Sequence, residues 1–384
     1  MATHCENALA GRTAVLDQAR IAVQRIGMGR PAKSLILVGL RGVGKTVVLV
    51  RIRDMAGEMG FRAVHLEAHE GKALPELLIP TLRQILFGLD GLANAKEYAR
   101  RGLRILKRFA GAFRLNMPDY NLELGIDPQI GTADSGDLEA DLGELFVAVG
   151  EAARRGNTAV VLCVDELQYL QKYEFSALIM AIHRINQLQL PLVLVGAGLP
   201  QIVGLAGASK SYSERLFDFP RVGVLSDADA ASALQVPVSA QEIAFTDDAL
   251  AEILRKTECY PYFIQQWGHE AWNLATHSPI ARDVIDVANA QAIKALDENF
   301  FSVRFDRCTP SEKRYLRALA DFGPGAHRSG EVADRLGVNT TAVGPVRQKL
   351  ITKGMIYPPQ HGDMAFTVPM FDEFMRRAMP DGTW

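Results

Sequence analysis

Four short apolar runs punctuate the first half of the chain. Residues 34–38 (Ser-Leu-Ile-Leu-Val) end in glycine. Residues 62–66 (Arg-Ala-Val-His-Leu), 158–164 (Thr-Ala-Val-Val-Leu-Cys-Val) and 191–195 (Pro-Leu-Val-Leu-Val) have the same character. Continuous apolar runs, rather than alternating ones, predict strands covered on both faces. Between them, apolar positions recur at helical spacing over residues 74–87, 137–154 and 174–188. Strands alternating with helices predict an α/β fold with a parallel sheet.

The strand signal stops near residue 225. Residues 227–299 are helical in pattern and carry the aromatic stretch Tyr260-Pro-Tyr-Phe-Ile-Gln-Gln-Trp267. Residues 310–379 predict a third unit, with helices over 310–321 and 330–336, the latter capped by Ser329. A third helix follows Asn339-Thr-Thr and stops at Lys353-Gly354. A hairpin of Met355-Ile-Tyr and Met364-Ala-Phe-Thr-Val, turning near Gly362, and a last helix complete it. On the third helix Val343, Val346, Leu350 and Ile351 are expected to face the core. Thr340, Thr341, Gly344 and Arg347 are expected to face outward, with Lys349 at the flank.

Composition narrows the picture. With 384 residues, 48% of them hydrophobic, the chain is too long for one core and predicts two or three domains. A net charge of −2 excludes a non-specific coat for nucleic acid, so any such contact rests on local patches. One basic patch is evident. Residues 98–118 hold six basic side chains (Arg100, Arg101, Arg104, Lys107, Arg108, Arg114) and no acidic one, opposite an apolar stripe of Ala99, Leu103, Leu106, Ala110 and Phe113. This amphipathic helix is either packed on the core with a solvated face or a contact for nucleic acid or a partner. Cys5, Cys163, Cys259 and Cys308 have no zinc spacing and read as reduced structural thiols. The polar N-terminus and the lack of any apolar run near the roughly 20 residues of a membrane span predict a cytoplasmic protein with no membrane partner.

The clearest chemistry is Gly39-Leu-Arg-Gly42-Val-Gly44-Lys45-Thr46, a full G-x-x-x-x-G-K-T between a strand and a helix. Its glycines let backbone N–H groups approach phosphate oxygens, and the helix beginning near Lys45 aims its positive end at them. Lys45 reaches the β- and γ-phosphates, and the Thr46 hydroxyl holds Mg²⁺. Arg41, Val43 and Val47 are expected beside the same nucleotide. The second element is the strand Val160-Val-Leu-Cys-Val-Asp165-Glu166. It delivers two carboxylates to the C-terminal sheet edge, where open α/β sheets bind ligands. Asp165 suits the metal, and Glu166 suits polarisation of an attacking water.

With these motifs the chain resembles the AAA+ superfamily of P-loop ATPases. It looks most like the branch of archaeal and bacterial ATPases related to replication initiators, with features of STAND signalling ATPases. Gly11-Arg12 resembles the element that lies near the adenine. Leu194-Val-Gly-Ala-Gly198-Leu-Pro-Gln resembles the sensor-one strand, yet Gly196, Ala197 and Gly198 offer no polar side chain there. Arg215, in Ser211-Tyr-Ser-Glu-Arg215-Leu-Phe, stands where the family's arginine finger stands; a surface salt bridge to Glu214 or Asp218 is the alternative. Cys259-Tyr-Pro261 resembles the lid element whose proline touches the base, with cysteine in place of glycine.

The resemblance implies a core over 1–225 with a basic helical insertion about 94–134, a helical lid over 226–304 and a winged helix-turn-helix over 305–384. It implies ATP/ADP and Mg²⁺ as cofactors, and a homo-oligomer sharing sites through Arg215. Double-stranded DNA would meet Thr340, Thr341, Arg347 and Lys349. The alternative is a STAND-like signalling or defence scaffold whose C-terminal domain binds an unknown protein. A helper of a mobile element is a third reading with the same chemistry.

Overall fold

The computed structural model describes residues 9–113, 133–209, 213–360 and 362–381. They group into two compact units. One comprises Arg12–Val38 and Lys45–Arg221; the other comprises Gly39–Gly44 and the chain from Val222 onward.

The first unit contains, in chain order, α1 (Thr13–Gly27), β1 (Ser34–Val38), α2 (Lys45–Glu58), β2 (Arg62–Glu67), α3 (Leu74–Asp90), α4 (Lys96–Ala112) and α5 (Leu138–Arg155). There follow β3 (Val160–Asp165), α6 (Lys172–Gln187), β4 (Leu192–Gly198), α7 (Gln201–Ser209), α8 (Ser213–Leu216) and β5 (Phe217–Asp218). The five strands form one parallel sheet in the order β2-β3-β4-β1-β5. All residues of β1, β3 and β4 are buried. Ile36, Val38, Leu162, Val164 and Leu194 join a core with α3, α5 and α6. The alternate side chains, Leu35, Leu37, Val161, Cys163 and Val193, are equally buried on the other face. This double burial is why the strands read as unbroken apolar runs. Burial pushes the Cys163 thiol up to about 12, so it is an inert core side chain.

The connection from β3 to α6 is firmly anchored. Glu174 is buried, its Oε2 accepting from the Gln171 N–H at 2.8 Å and its Oε1 from the Leu74 N–H at 2.7 Å. It therefore caps α6 and pins the start of α3 in one contact.

The basic stretch forms α4, which packs between α3 and α5. Ala99, Leu103, Leu106 and Ala110 are buried as expected, while Phe109 rather than Phe113 is the fully buried ring. Three of its arginines pair with acids of the same unit. Arg100 meets Asp90 at 3.0 Å, Arg101 meets Glu151 at 3.4 Å, and Arg108 meets Asp134 at 3.7 Å. Arg114 to Pro118 lie outside the described residues.

The second unit contains α9 (Asp227–Ser239), α10 (Asp247–Thr257), α11 (Pro261–Leu274), α12 (Arg282–Leu296), a π-helical turn (Asp297–Phe301) and α13 (Ser302–Phe305). Next come α14 (Pro310–Ala320), β6 (His327–Arg328), α15 (Ser329–Arg335), α16 (Thr340–Thr352), β7 (Ile356–Tyr357), β8 (Asp363–Phe366) and α17 (Phe371–Ala378). The last three strands form an antiparallel sheet in the order β6-β8-β7. The hairpin is where the pattern put it. Strand β6 has only two residues, too few to leave a periodicity.

The expected division at 304/305 falls inside α13. Phe301 of the π-helical turn packs on Phe371 and Phe374 of α17, with ring centroids 5.6 and 5.3 Å apart. Arg377 makes two hydrogen bonds to Asp297, at 2.9 and 2.7 Å. The helices after Val222 and the C-terminal section therefore share one aromatic core within one unit.

Candidate functional site

Residues 39–44 join β1 to α2, and the structure explains their glycines. A Cβ on Gly39 would lie 2.1 Å from the Val222 carbonyl oxygen, so only hydrogen fits there. Gly42 and Gly44 have φ of +82° and +90°, the left-handed region that glycine enters without penalty. The chain then turns into α2 with Lys45 as its first residue. Lys45 and Val43 are buried, whereas Thr46 and Val47 are exposed.

Within the second unit, residues after Val222 hold this loop. The Tyr260 hydroxyl donates to the Arg41 carbonyl, and the Tyr262 N–H donates to the Gly42 carbonyl at 3.2 Å. The Arg41 guanidinium donates from Nε to the Gly354 carbonyl at 3.3 Å. Pro261 is half-buried and opens α11 between the two tyrosines, where its ring pre-sets the helical φ. Glu258 and Cys259 precede it with φ of +50° and +54°. That conformation explains why a glycine would be at home at position 259. The Cys259 thiol instead donates to Asp227 at 3.3 Å, and burial together with that carboxylate pushes it up to about 11.

Asp165 ends β3 with its side chain buried. Its Oδ1 accepts from the Glu166 N–H at 2.8 Å. Glu166 takes φ of +54°, a conformation costly for a side chain with a Cβ, and turns the chain sharply off the strand end. Strand β4 alone separates β1 from β3, with Val38 opposite Gly198 and Val164 opposite Gly196. Two strand spacings, about 10 Å, thus separate the strand feeding the glycine loop from the strand bearing Asp165.

One residue at this edge escaped sequence reasoning. Gln168, in the 3₁₀ turn Leu167–Tyr169, donates from Nε2 to the Glu166 carboxylate. Its Oε1 accepts from the Leu199 N–H at 3.1 Å. A glutamine two residues past the acids has no sequence signature of its own. The signal was indirect, namely the missing polar residue on β4. A Cβ on Gly196 would lie 2.3 Å from Leu167 Cδ1, and one on Gly198 would lie 3.2 Å from Gln168 Oε1. Both glycines make room for side chains arriving from the β3–α6 connection.

The remaining candidates are more scattered. Gly11 has φ of +71°, and a Cβ there would lie 2.8 Å from Asp229 Oδ2. Arg12 is buried at the N-cap of α1. Arg215 is exposed on α8, and Asp218, one of its two expected salt-bridge partners, is bonded by Lys33 at 3.1 Å.

On α16, Thr340, Thr341 and Lys349 are exposed, but Arg347 corrects the expectation. Rather than facing outward it is half-buried, donating to the Ser329 hydroxyl at 3.1 Å. Ser329 is correspondingly the first residue of α15 rather than its cap, a place taken by Arg328. Val343 and Leu350 are buried as expected, while Val346 and Ile351 are only half-buried.

The donor set suits Mg²⁺ brought in with a polyphosphate. Among the described residues no three His, Cys, Asp or Glu side chains cluster to form a protein metal cage. A carboxylate such as Asp165 and one hydroxyl such as Thr46 are the small protein share that Mg²⁺ takes when phosphates and waters complete its shell. No helix among the described residues is long and apolar enough to cross a membrane.

Comparison with known proteins agrees with this architecture. Residues 8–195, just under half the chain, match the model of the AAA ATPase domain. Residues 298–375 match the model of a domain of unknown function, DUF8462. None of the curated proteins matches in sequence. Among solved structures, a Walker-type ATPase of Pyrococcus abyssi is similar at a TM-score of 0.59 and 14% identity, over 96% of both chains. Orc1 of Aeropyrum pernix, solved in complex with DNA, aligns at 0.48 and 14% identity over 98% of this chain and 95% of its own. The Holliday junction branch migration motor RuvB of Thermotoga maritima aligns at 0.44 and 15% identity over 94% of both. The first of these likenesses shows a common fold. Together with the AAA ATPase match and the five-stranded parallel sheet, it supports a nucleotide-binding P-loop ATPase of AAA+ type.

Proposed function

We propose that the chain is an ATP-hydrolysing molecular switch of the AAA+ class that acts on duplex DNA through its C-terminal section. One observation carries the ATPase part. Lys45, buried as the first residue of the helix that follows the glycine loop, and Asp165, buried at the end of β3, lie in one unit built on a single parallel sheet. The loop amides and Lys45 hold the phosphates, Thr46 and Asp165 hold Mg²⁺, and Glu166 orients the attacking water. Gly11, Arg12 and Pro261 are assigned to the nucleotide's base end. Mg²⁺, held by these residues, would supply neutralisation of phosphate charge.

The test is calorimetry and turnover on the full chain. Lys45→Ala removes ATP binding, whereas Glu166→Gln keeps it and slows hydrolysis by about a hundredfold or more. Unaltered affinity in the first variant, or unaltered turnover in the second, refutes the assignment.

The C-terminal section we read as a winged helix with α16 as the DNA-facing helix, so that Thr340, Thr341 and Lys349 meet the duplex. Arg347 contributes by holding α15 against α16. The inward turn of Arg347 also favours the second reading, a signalling scaffold whose C-terminal section binds protein, because it leaves this face poor in positive charge. ATPase rates with and without duplex, in wild type and Lys349→Ala, separate the two. Stimulation by duplex that the variant loses supports DNA; assembly with nucleotide that ignores duplex supports the scaffold.

A further inference from the structure

The sheet edge holds a polar relay that no motif announces. Gln168 lies between the Glu166 carboxylate and the backbone at the end of β4. Its amide orientation is fixed by its neighbours. The Leu199 N–H can only donate, so it faces Oε1, and the Glu166 carboxylate can only accept, so it faces Nε2. The turn that carries Gln168 is fixed downstream by Glu174, through its bonds to Gln171 and Leu74. The receiving end is equally committed. Gly198 is paired with Val38, the last residue before the glycine loop, and the space that a side chain on Gly198 would need is taken by Gln168 Oε1. A larger residue at 196 is excluded by Leu167.

We propose that Gln168 is the positioning residue of this site: its amide ties the Glu166 carboxylate to the β4–α7 junction and does from β3 what a polar side chain on β4 would otherwise do. The inference rests on the ATPase reading given above. One hydrogen bond, from an amide itself anchored at Leu199, holds a carboxylate whose backbone is already turned to φ of +54° off the strand. With one oxygen restrained, the carboxylate is left a narrow range of orientations for a water. A displacement at Leu199, beside the strand that feeds the glycine loop, passes through one rigid amide to Glu166.

The experiment is a double-mutant cycle on the full chain, with steady-state ATP hydrolysis and calorimetric ATP affinity in Mg²⁺ as readouts. Gln168→Met keeps length and bulk but makes neither bond. It is expected to lower kcat by about tenfold or more, with ATP affinity within about twofold of wild type. In a Glu166→Gln background the same substitution is expected to cost nothing further, because it acts only through Glu166. Wild-type kcat in Gln168→Met overturns the inference, as does an equal loss in both backgrounds. Should Gln168→Met fail to fold, Gln168→Asn, one methylene too short to span both partners, is put through the same cycle. Full turnover in Glu166→Gln alone would instead bring down the underlying ATPase assignment, so the two failures are told apart.

Discussion

The Tyr260 hydroxyl donates its hydrogen bond to the backbone carbonyl of Arg41, inside the glycine loop. The side chain of the same arginine reaches the carbonyl of Gly354, after α16. One loop residue is thus held by its backbone to the start of α11 and by its guanidinium to the C-terminal section.

Tyr260→Phe removes only the hydroxyl. Tyr260 is buried, and burial raises its hydroxyl pKa, so it remains a donor across the neutral range. The Arg41 carbonyl loses a partner, and the expected cost is about 1–3 kcal/mol of stability. ATP affinity should fall severalfold as the loop loosens. Thermal melting and calorimetry check both, and an unchanged value in each would show that the bond does not organise the loop.

Glu252 gives a pH-dependent term. Its carboxylate accepts from Arg255 Nε and Nη2, both at 2.8 Å, and lies 3.2 Å from Arg282. The Arg255 hydrogen bonds hold its pKa below the usual carboxylate value, against the opposing effect of burial. A depressed carboxylate pKa contributes stability that is complete above the unfolded value, about 4.3, and fades as pH falls through the lower folded value. The melting temperature should therefore be insensitive to this group from pH 7 to 5 and drop in more acidic solution. Glu252→Gln should lower it at pH 7 and flatten the acidic drop. A variant that follows the wild-type curve throughout would remove Glu252 from the account.

Arg215 is exposed on the short helix α8. If it completes a neighbouring copy's site, Arg215→Ala alone should lose most hydrolysis, and mixing it with Lys45→Ala should restore part of it. Each copy then supplies what the other lacks. Activity that never recovers at any mixing ratio would confine Arg215 to its own surface.

Much of this site was legible before any coordinates. The glycine loop with Lys45 and the Asp165-Glu166 pair are each short-range motifs, and each is bounded by the strand that carries it. Strand β1 falls on the residues its pattern predicted, because burial on both faces makes it an unbroken apolar run after Ser34. The expectation for α16 was less secure. Helical periodicity put Arg347 outward, but a long side chain can fold back, and Ser329 on a neighbouring helix offered it an acceptor. Periodicity reports where a Cβ points, not where a guanidinium ends. The arginines of α4 teach the same lesson, since their acids Asp90, Asp134 and Glu151 sit on other segments.

By itself the sequence determined the alternation of buried strands and amphipathic helices, the glycine-lined phosphate loop and the paired acids, since all of these arise from local spacing and local conformational preference. Only the tertiary structure decided that Gln168 bridges Glu166 to Leu199, that Tyr260 holds Arg41, and that Arg100, Arg101 and Arg108 meet acids of other segments. Those are meetings of residues remote in sequence or uncoded by any motif. Which donor finds which acceptor in a packed interior is settled by how strands and helices come together, and a linear pattern carries no record of that.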